Sequence, residues 1–290
     1  MTRNLRKILT GSVLFTAVAA FGACSQADVN TAAVTSDVTT EAAQALQNVQ
    51  PTAPVVKVAQ APATITDRAD ALLKKYVQAP DAQGVARFAY GDLASSQADV
   101  DTLNAYIAHL EGTNTNGLSE NEALAYWSNL YNSVTVKLII DNYPLKSIKK
   151  LGFTVPWDRK IINKDGAKIS LNDIEHGTMR KLYPSPYVQY MVNCASIGCP
   201  NLKDGLWNAE TVDADRKKAA DIFVNSPRGV QVTSKGLKVS SIYKWFKEDF
   251  GGSKENVLKH IRKHADADLA AAIDGGAKIT SYGYDWNLNE

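Results

Sequence analysis

The chain has 290 residues, enough for one large domain or two small ones, and its 45% hydrophobic, 21% charged composition is that of an ordinary globular protein. Its formal charge is +2 with no block of like charge, and losing Arg3, Arg6 and Lys7 with an export leader would leave the remainder close to neutral. Such an evenly mixed surface lacks the electrostatic footprint of a nucleic-acid binder.

Residues 1–23 read as a signal peptide. Arg3, Arg6 and Lys7 form its basic start, and an uncharged apolar run follows that is too short to span a bilayer comfortably. The run ends in Phe21-Gly22-Ala23-Cys24, two small residues before a cysteine, which matches a bacterial lipobox and makes Cys24 the expected lipidation site. Cleavage after Ala20-Phe21-Gly22 also fits the small-x-small rule. A lipid on Cys24 would anchor the protein to a membrane without any spanning helix. Ser25 follows in place of the aspartate that marks inner-membrane retention, so the expected location is the cell envelope, on the outer membrane facing the periplasm. Residues 24–65 are rich in Ala, Thr, Val and Gln, hold Pro51, Pro54 and Pro62, and include no aromatic residue. They cannot bury enough apolar surface to offset their ordering entropy and read as a flexible tether.

Residues 66–290 read as one α+β domain, a long central helix packed on a small antiparallel sheet. The first helix begins near Asp67, with Ala69, Leu72, Leu73 and Tyr76 at helical spacing, and a second covers 99–111. His109 on that second helix is expected at the surface. Ser119 and Glu122 form a capping box for the longest helix, 119–142, and Tyr143-Pro144 stops it. Leu124, Trp127, Tyr131, Val134 and Leu138 form its core stripe, flanked by Asn129 and Asn132. Those two amides either satisfy backbone groups or line a cleft as hydrogen-bond donors. A hairpin turns at Asp165-Gly166, and a short capped helix beginning at Ser170 carries Glu175 and His176 in its first turns, where the helix dipole favours a neutral imidazole. The apolar run 187–192 reads as a buried strand leading into Asn193-Cys194-Ala195-Ser196-Ile197-Gly198-Cys199-Pro200. Beyond it come a helix over 211–225, a hairpin over 230–239, helices over 241–250 and 256–264, and a strand over 278–284. The helix over 241–250 should turn Ile242, Trp245 and Phe246 inward. His260 and His264 stand at i, i+4, a spacing that can bind metal, but Lys259, Arg262 and Lys263 around them predict a solvated basic face.

Four motifs resemble those of the domain of unknown function 547 (DUF547) family. They are Ala125-Tyr126-Trp127-Ser128-Asn129-Leu130-Tyr131-Asn132, Ser170-Leu171-Asn172-Asp173-Ile174-Glu175-His176-Gly177, Asn193-Cys194-Ala195-Ser196 with Cys199-Pro200, and Tyr284-Asp285-Trp286-Asn287-Leu288-Asn289. The resemblance implies a domain of bacterial envelope proteins that also occurs in plant and animal proteins, and it implies no activity. The family usually carries a histidine where this chain has Gln189. A looser likeness, to papain-like and transglutaminase-like folds, would place a nucleophilic cysteine at the start of the long helix. Here that helix has none, so such a correspondence would be partial or rearranged.

With Cys24 taken by lipid, Cys194 and Cys199 remain as a pair in an oxidising compartment, and several readings of them stay open. A disulfide between Cys194 and Cys199 would close a short loop. Alternatively Cys194 is a nucleophile with His176 as base, Glu175 or Asp173 as its orienter, and Asn129 or Asn132 as oxyanion donors. A zinc site from both cysteines and His176 would lack a fourth ligand, so no metal and no cofactor is expected. Inert buried thiols complete the set. The function expected is recognition of a small-molecule or peptide ligand, or scaffolding, through the cleft of Cys194 and His176. The alternative is a hydrolase or acyl transferase acting on peptide or peptidoglycan-like material.

Overall fold

The computed structural model describes residues 63–151 and 156–290. The leader, Cys24 and nearly all of the tether lie outside the described residues. Helix α1 (Ile65–Tyr76) starts at a capping box in which Thr64 and Asp67 satisfy each other's end of the turn, and Ala69, Leu72, Leu73 and Tyr76 form its buried stripe. Helices α2 (Tyr90–Ser95) and α3 (Gln97–Gly112) follow. Helix α4 (Glu120–Ile140) starts where the Ser119–Glu122 box places it, with both reciprocal bonds formed. None of the described helices is long and apolar enough to cross a membrane.

The α+β class holds, but α4 does not rest on a sheet. It packs among α2, α3, the π-helical turn Asp173–Met179 and α6 (Val212–Val224). Burial explains why: 17 of its 21 residues are buried, so it needs neighbours all round rather than one apolar face. Leu124 and Leu130 are wholly buried, each adding about 2 kcal/mol of apolar transfer energy.

A two-stranded hairpin, β1 (Ile162–Lys164) and β2 (Ala167–Ile169), turns through Asp165 and Gly166 at φ 51° and 78°, the paired positive values a tight hairpin demands. The short element predicted from Ser170 is wound as that π-helical turn, followed by α5 (Arg180–Leu182). The other sheet has three strands, β3 (Val230–Thr233), β4 (Gly236–Ser240) and β5 (Ile279–Gly283), in the order β3-β4-β5. It is mixed rather than antiparallel. The β3–β4 hairpin is antiparallel, and β5 joins β4 in parallel after the chain has passed through α7 (Ile242–Trp245), α8 (Lys254–His264) and α9 (Ala267–Asp274). That excursion is long enough to reverse the chain's direction, as a parallel pair requires.

Two apolar cores result. One gathers α1 to α4 with Ile148, Ile162, Leu171, Ile174 and Val192; the other gathers the larger sheet with α6, α8, Tyr187 and Tyr190. The run 187–192, expected as a strand, is a 3-10 helix over Pro186–Tyr190, begun by Ser185, whose hydroxyl accepts the Tyr187 amide, and by Pro186 at the first helical position. Residues 187–193 are all buried, so no periodicity separates strand from helix there.

The solvated basic face expected around His260 and His264 is also corrected. His264 is only 7% exposed. Its Nδ1 lies 2.6 Å from Asp221 Oδ1 and its Nε2 lies 3.1 Å from the Tyr187 hydroxyl. His260 stacks on Tyr190 and bonds its hydroxyl at 2.8 Å. Helix α8 packs against α6 with its histidine stripe inward, and the lysines and arginine occupy the other faces. His109 is exposed, as expected.

Candidate functional site

The loop after the 3-10 helix is held by asparagines. Asn132 on α4 accepts the Asn193 amide at 2.8 Å through Oδ1 and donates to the Met191 carbonyl at 2.9 Å. Asn193 in turn accepts the Ala195 amide at 2.8 Å and donates to the Pro200 carbonyl at 2.7 Å, which closes the loop on itself. Ala195 sits at φ 57°, in the left-handed region. Asn129 exchanges two bonds of 2.9 Å with the backbone of Trp207. Both amides flanking the α4 stripe are therefore committed to backbone, and neither reaches the cavity beside Cys194.

The C-terminal segment docks on the same loop. The amides of Ile197 and Gly198 donate to the carbonyls of Asn287 and Asp285 at 2.8 and 2.9 Å. Gly198 is required by close approach: a Cβ there would stand 2.8 Å from the Asp285 nitrogen and 2.9 Å from the Tyr284 ring. This docking brings the Tyr284 hydroxyl to the sulfurs, 2.9 Å from Cys194 Sγ and 3.1 Å from Cys199 Sγ.

Cys194 and Cys199 are free thiols in the structure. The Cys194 amide donates to Cys199 Sγ at 3.1 Å, and the Cys194 thiol donates to the Ser196 hydroxyl at 3.7 Å. Burial opposes charge on Cys199, but donation from the Cys194 thiol and amide and from the Tyr284 hydroxyl outweighs it and lowers that thiol below its ordinary range. The Cys194 thiol is pushed well up by its hydrogen bond to Cys199 and by burial. Of the two, Cys199 is the sulfur built to carry negative charge. Arg228 braces the loop from behind, donating to the carbonyls of Cys199 at 2.8 Å and Ile197 at 3.0 Å.

Above the sulfurs is a cavity of about 180 Å³ at the seam of the two cores. Its floor holds Cys194, Cys199, Glu175 and Tyr131, and its walls are Trp157, Trp245, Phe246, Tyr284 and Trp286. The aromatic wall is continuous, with ring centroids 4.5 Å apart for Tyr284–Trp286, 4.9 Å for Trp245–Tyr284 and 5.7 Å for Trp157–Trp286. Trp245, expected to point inward, is 48% exposed and stands at the mouth.

Glu175 is 6% exposed. Burial raises its carboxyl to about 7, against the lowering effects of the Arg180 guanidinium and of a hydrogen bond with Tyr131. His176 lies at the rim with its side chain 41% exposed, its Nδ1 3.7 Å from Glu175 Oε1. Arg180 meets the same Nδ1 at 3.1 Å; a guanidinium only donates, so the neutral ring keeps its proton on Nε2. Burial and Arg180 hold the imidazole below its ordinary range. The neutral ring expected from a helix dipole is thus favoured by other causes.

Behind them Asp249 accepts Nε and Nη2 of Arg180, at 2.7 and 2.8 Å, and the amide of Gln189 at 2.7 Å. Asp173 faces elsewhere, capping its own turn at Ser170 and pairing with Lys160. Among the described residues no hydrogen bond joins His176 to either sulfur, and no group of three or more His, Cys, Asp and Glu side chains is arranged to hold a metal ion. The structure therefore brings Cys194, Cys199, Glu175 and His176 to one cavity, and leaves Asn129, Asn132 and Asp173 in structural roles.

Sequence reasoning missed Tyr284, the tryptophans, Arg180 and Asp249 as parts of the site. Tyr284 and Trp286 belong to the terminal motif noted above, and that motif was the signal available for them. Residues 115–224 match the family model described as "Protein of unknown function, DUF547". The match supports the DUF547 family and takes in both cysteines, Glu175, His176 and Gln189, but ends before the aromatic wall of 245–286. No curated protein and no solved structure gives a match to this chain.

Proposed function

We propose that the protein is an envelope-anchored recognition module whose ligand enters the aromatic cavity over Cys194 and His176. The observation that carries this reading is the continuous wall of Trp157, Trp245, Tyr284 and Trp286, with Phe246 beside His176, over a small floor of polar groups, the usual make-up of a ligand pocket. Lys149 and Arg180 already lie over the Trp286 and Phe246 rings, each at 4.9 Å, so the cavity favours a neutral or acidic ligand over a cation. Flat apolar rings with a buried acid suit a small molecule or a short peptide, peptidoglycan fragments included. The leader and Cys24 supply the envelope address, an outer-membrane lipoprotein facing the periplasm on a tether.

A Cys/His hydrolase is the second reading, favoured by the presence of Cys194, His176 and Glu175 in one cavity. It ranks lower because Nδ1 of His176 is engaged by Arg180, and among the described residues no hydrogen bond joins that ring to Cys194.

Tryptophan emission tests the recognition reading, using soluble peptidoglycan fragments and short apolar peptides as probes. A saturable change is expected with wild-type protein and its loss with Trp245→Ala and Trp286→Ala. No saturable response to any probe, or the same response in both variants, would sink the reading. Labelling with radioactive palmitate tests the anchor: incorporation that persists in Cys24→Ala would refute lipidation at that residue.

A further inference from the structure

The two sulfurs hold more chemistry than a binding site needs. Both sulfurs meet the same tyrosine hydroxyl, at 2.9 and 3.1 Å, and the amide of one cysteine donates to the sulfur of the other at 3.1 Å. Cys199 Sγ is arranged as an acceptor, taking the Cys194 amide and the Tyr284 O–H, while the Cys194 thiol donates to the Ser196 hydroxyl at 3.7 Å. The loop that joins them is fixed at both ends by Asn193 and Arg228, and Ala195 holds its left-handed turn. Both sulfurs lie within 3.1 Å of one hydroxyl oxygen, so an S–S bond there would join close neighbours. Cys194, the more exposed sulfur, and Cys199 both line the aromatic cavity. No base for acyl transfer touches either sulfur among the described residues, whereas thiol–disulfide exchange requires only a thiolate, a neighbouring thiol and access.

We infer that Cys194 and Cys199 form a redox-active dithiol that exchanges with disulfides of peptides whose apolar flanks enter the aromatic cavity. The Cys199 thiolate takes the proton of the Cys194 thiol. The Cys194 thiolate then attacks one sulfur of the substrate disulfide, so that a Cys194–substrate bond forms and the substrate's other sulfur leaves as a thiolate. That leaving thiolate takes the proton from Cys199. The Cys199 thiolate next attacks Cys194 Sγ, forming the Cys194–Cys199 disulfide and expelling the second substrate thiolate. Two electrons pass from the pair to the substrate, and an external dithiol returns the pair to its reduced form. Tyr284 is a positioning residue here, orienting both sulfurs and stabilising the negative one. The activity shares the proposed ligand cavity but depends on access to the sulfurs, not on a particular occupant.

The test uses the full-length protein equilibrated in glutathione buffers of graded ratio, quenched by alkylation and mapped by peptide mass so that Cys24 is read separately. The expected result is a two-electron interconversion of Cys194 and Cys199 between two alkylated thiols and one disulfide within the glutathione range. In Cys199→Ser, a peptide disulfide should accumulate as a stable mixed disulfide on Cys194, and it should not do so on wild-type protein. A pair that stays oxidised at the most reducing ratio, or stays reduced at the most oxidising, overturns the inference. So does a Cys199→Ser protein that is folded by circular dichroism and traps nothing at Cys194 even at a pH high enough to ionise the thiol without Cys199. The glutathione titration needs no occupant and no variant, whereas the recognition test reads tryptophan emission, so each reading can fail alone.

Discussion

The hydroxyl of Tyr284 donates to Sγ of Cys199 at 3.1 Å across 85 positions of sequence. The contact exists because the C-terminal segment lies along the cysteine loop, where only glycine at 198 leaves room for the tyrosine ring. A sulfur this buried would otherwise resist ionisation, and the hydrogen bonds it accepts lower its thiol. Tyr284→Phe keeps the ring and removes the donor. A hydrogen bond to a charged acceptor is worth about 1.5–3 kcal/mol, so the thiolate should be lost to a higher pH range. Thiolate absorbance followed against pH should show an upward displacement of the Cys199 transition. An unmoved transition would mean that Tyr284 only fills space.

Glu175 gives the protein an acid-favoured term in its stability. Its carboxyl titrates near 7 when folded and near 4.5 when free, so between those values the folded state binds more protons than the unfolded one. Stability from this group is therefore intact below 4.5 and falls as pH rises through 7. The loss is on the order of 3 kcal/mol at full ionisation. Glu175→Gln should be more stable than wild type at pH 8 by about that amount and nearly equal to it at pH 4. Urea denaturation of both proteins across the range isolates the effect, since other titrating groups cancel in the difference. A constant difference at every pH would refute the raised carboxyl.

Part of this architecture could be read before any coordinates. Ser119 with Glu122, Asp165-Gly166, the hairpin over 230–239 and the strand over 278–284 were each legible locally, and the elements formed there. The cavity also follows the cysteine motif. What escaped is non-local. Local spacing could not show that 187–192 would be buried from every side, or that the α8 histidines would meet Asp221 and Tyr187 from other elements. Trp245 reaches the cavity mouth only because Tyr284 and Trp286 arrive from the end of the chain. A charged environment in sequence, such as Lys259 to Lys263, describes one helix and says little about which of its faces is covered.

His260 makes an opposite pH signature to that of Glu175. Burial, with His264 and Lys263 nearby, pulls His260 down from 6.5 to about 3. Between those values the unfolded chain binds the extra proton, so the stability this residue contributes is present above 6.5 and is lost as pH falls towards 3. The loss is roughly 4 kcal/mol after allowing for partial exposure. His260→Gln can still bond the Tyr190 hydroxyl and should unfold at a lower pH than wild type in an acid titration followed by circular dichroism. His264→Ala, by contrast, should cost about 2–4 kcal/mol at neutral pH, because it leaves a cavity and strips the Tyr187 hydroxyl of a partner.

Position 189 tests whether the network behind the cavity can activate the thiols. Gln189 faces the cavity and donates to Asp249, the carboxylate that also accepts Nε and Nη2 of Arg180. A histidine there, as the family usually carries, would give its N–H to the same oxygen, and Asp249 would favour the imidazolium by its charge. The site would then hold a second imidazole, one not engaged by Arg180 as His176 is. In Gln189→His the alkylation rate of Cys194 should rise several-fold near neutral pH and acquire a titration step absent from wild type. Asp249→Asn in the same background should remove that step, because a neutral amide no longer stabilises the cation. If Gln189→His is folded and alkylates at the wild-type rate at every pH, position 189 takes no part in the chemistry of the sulfurs.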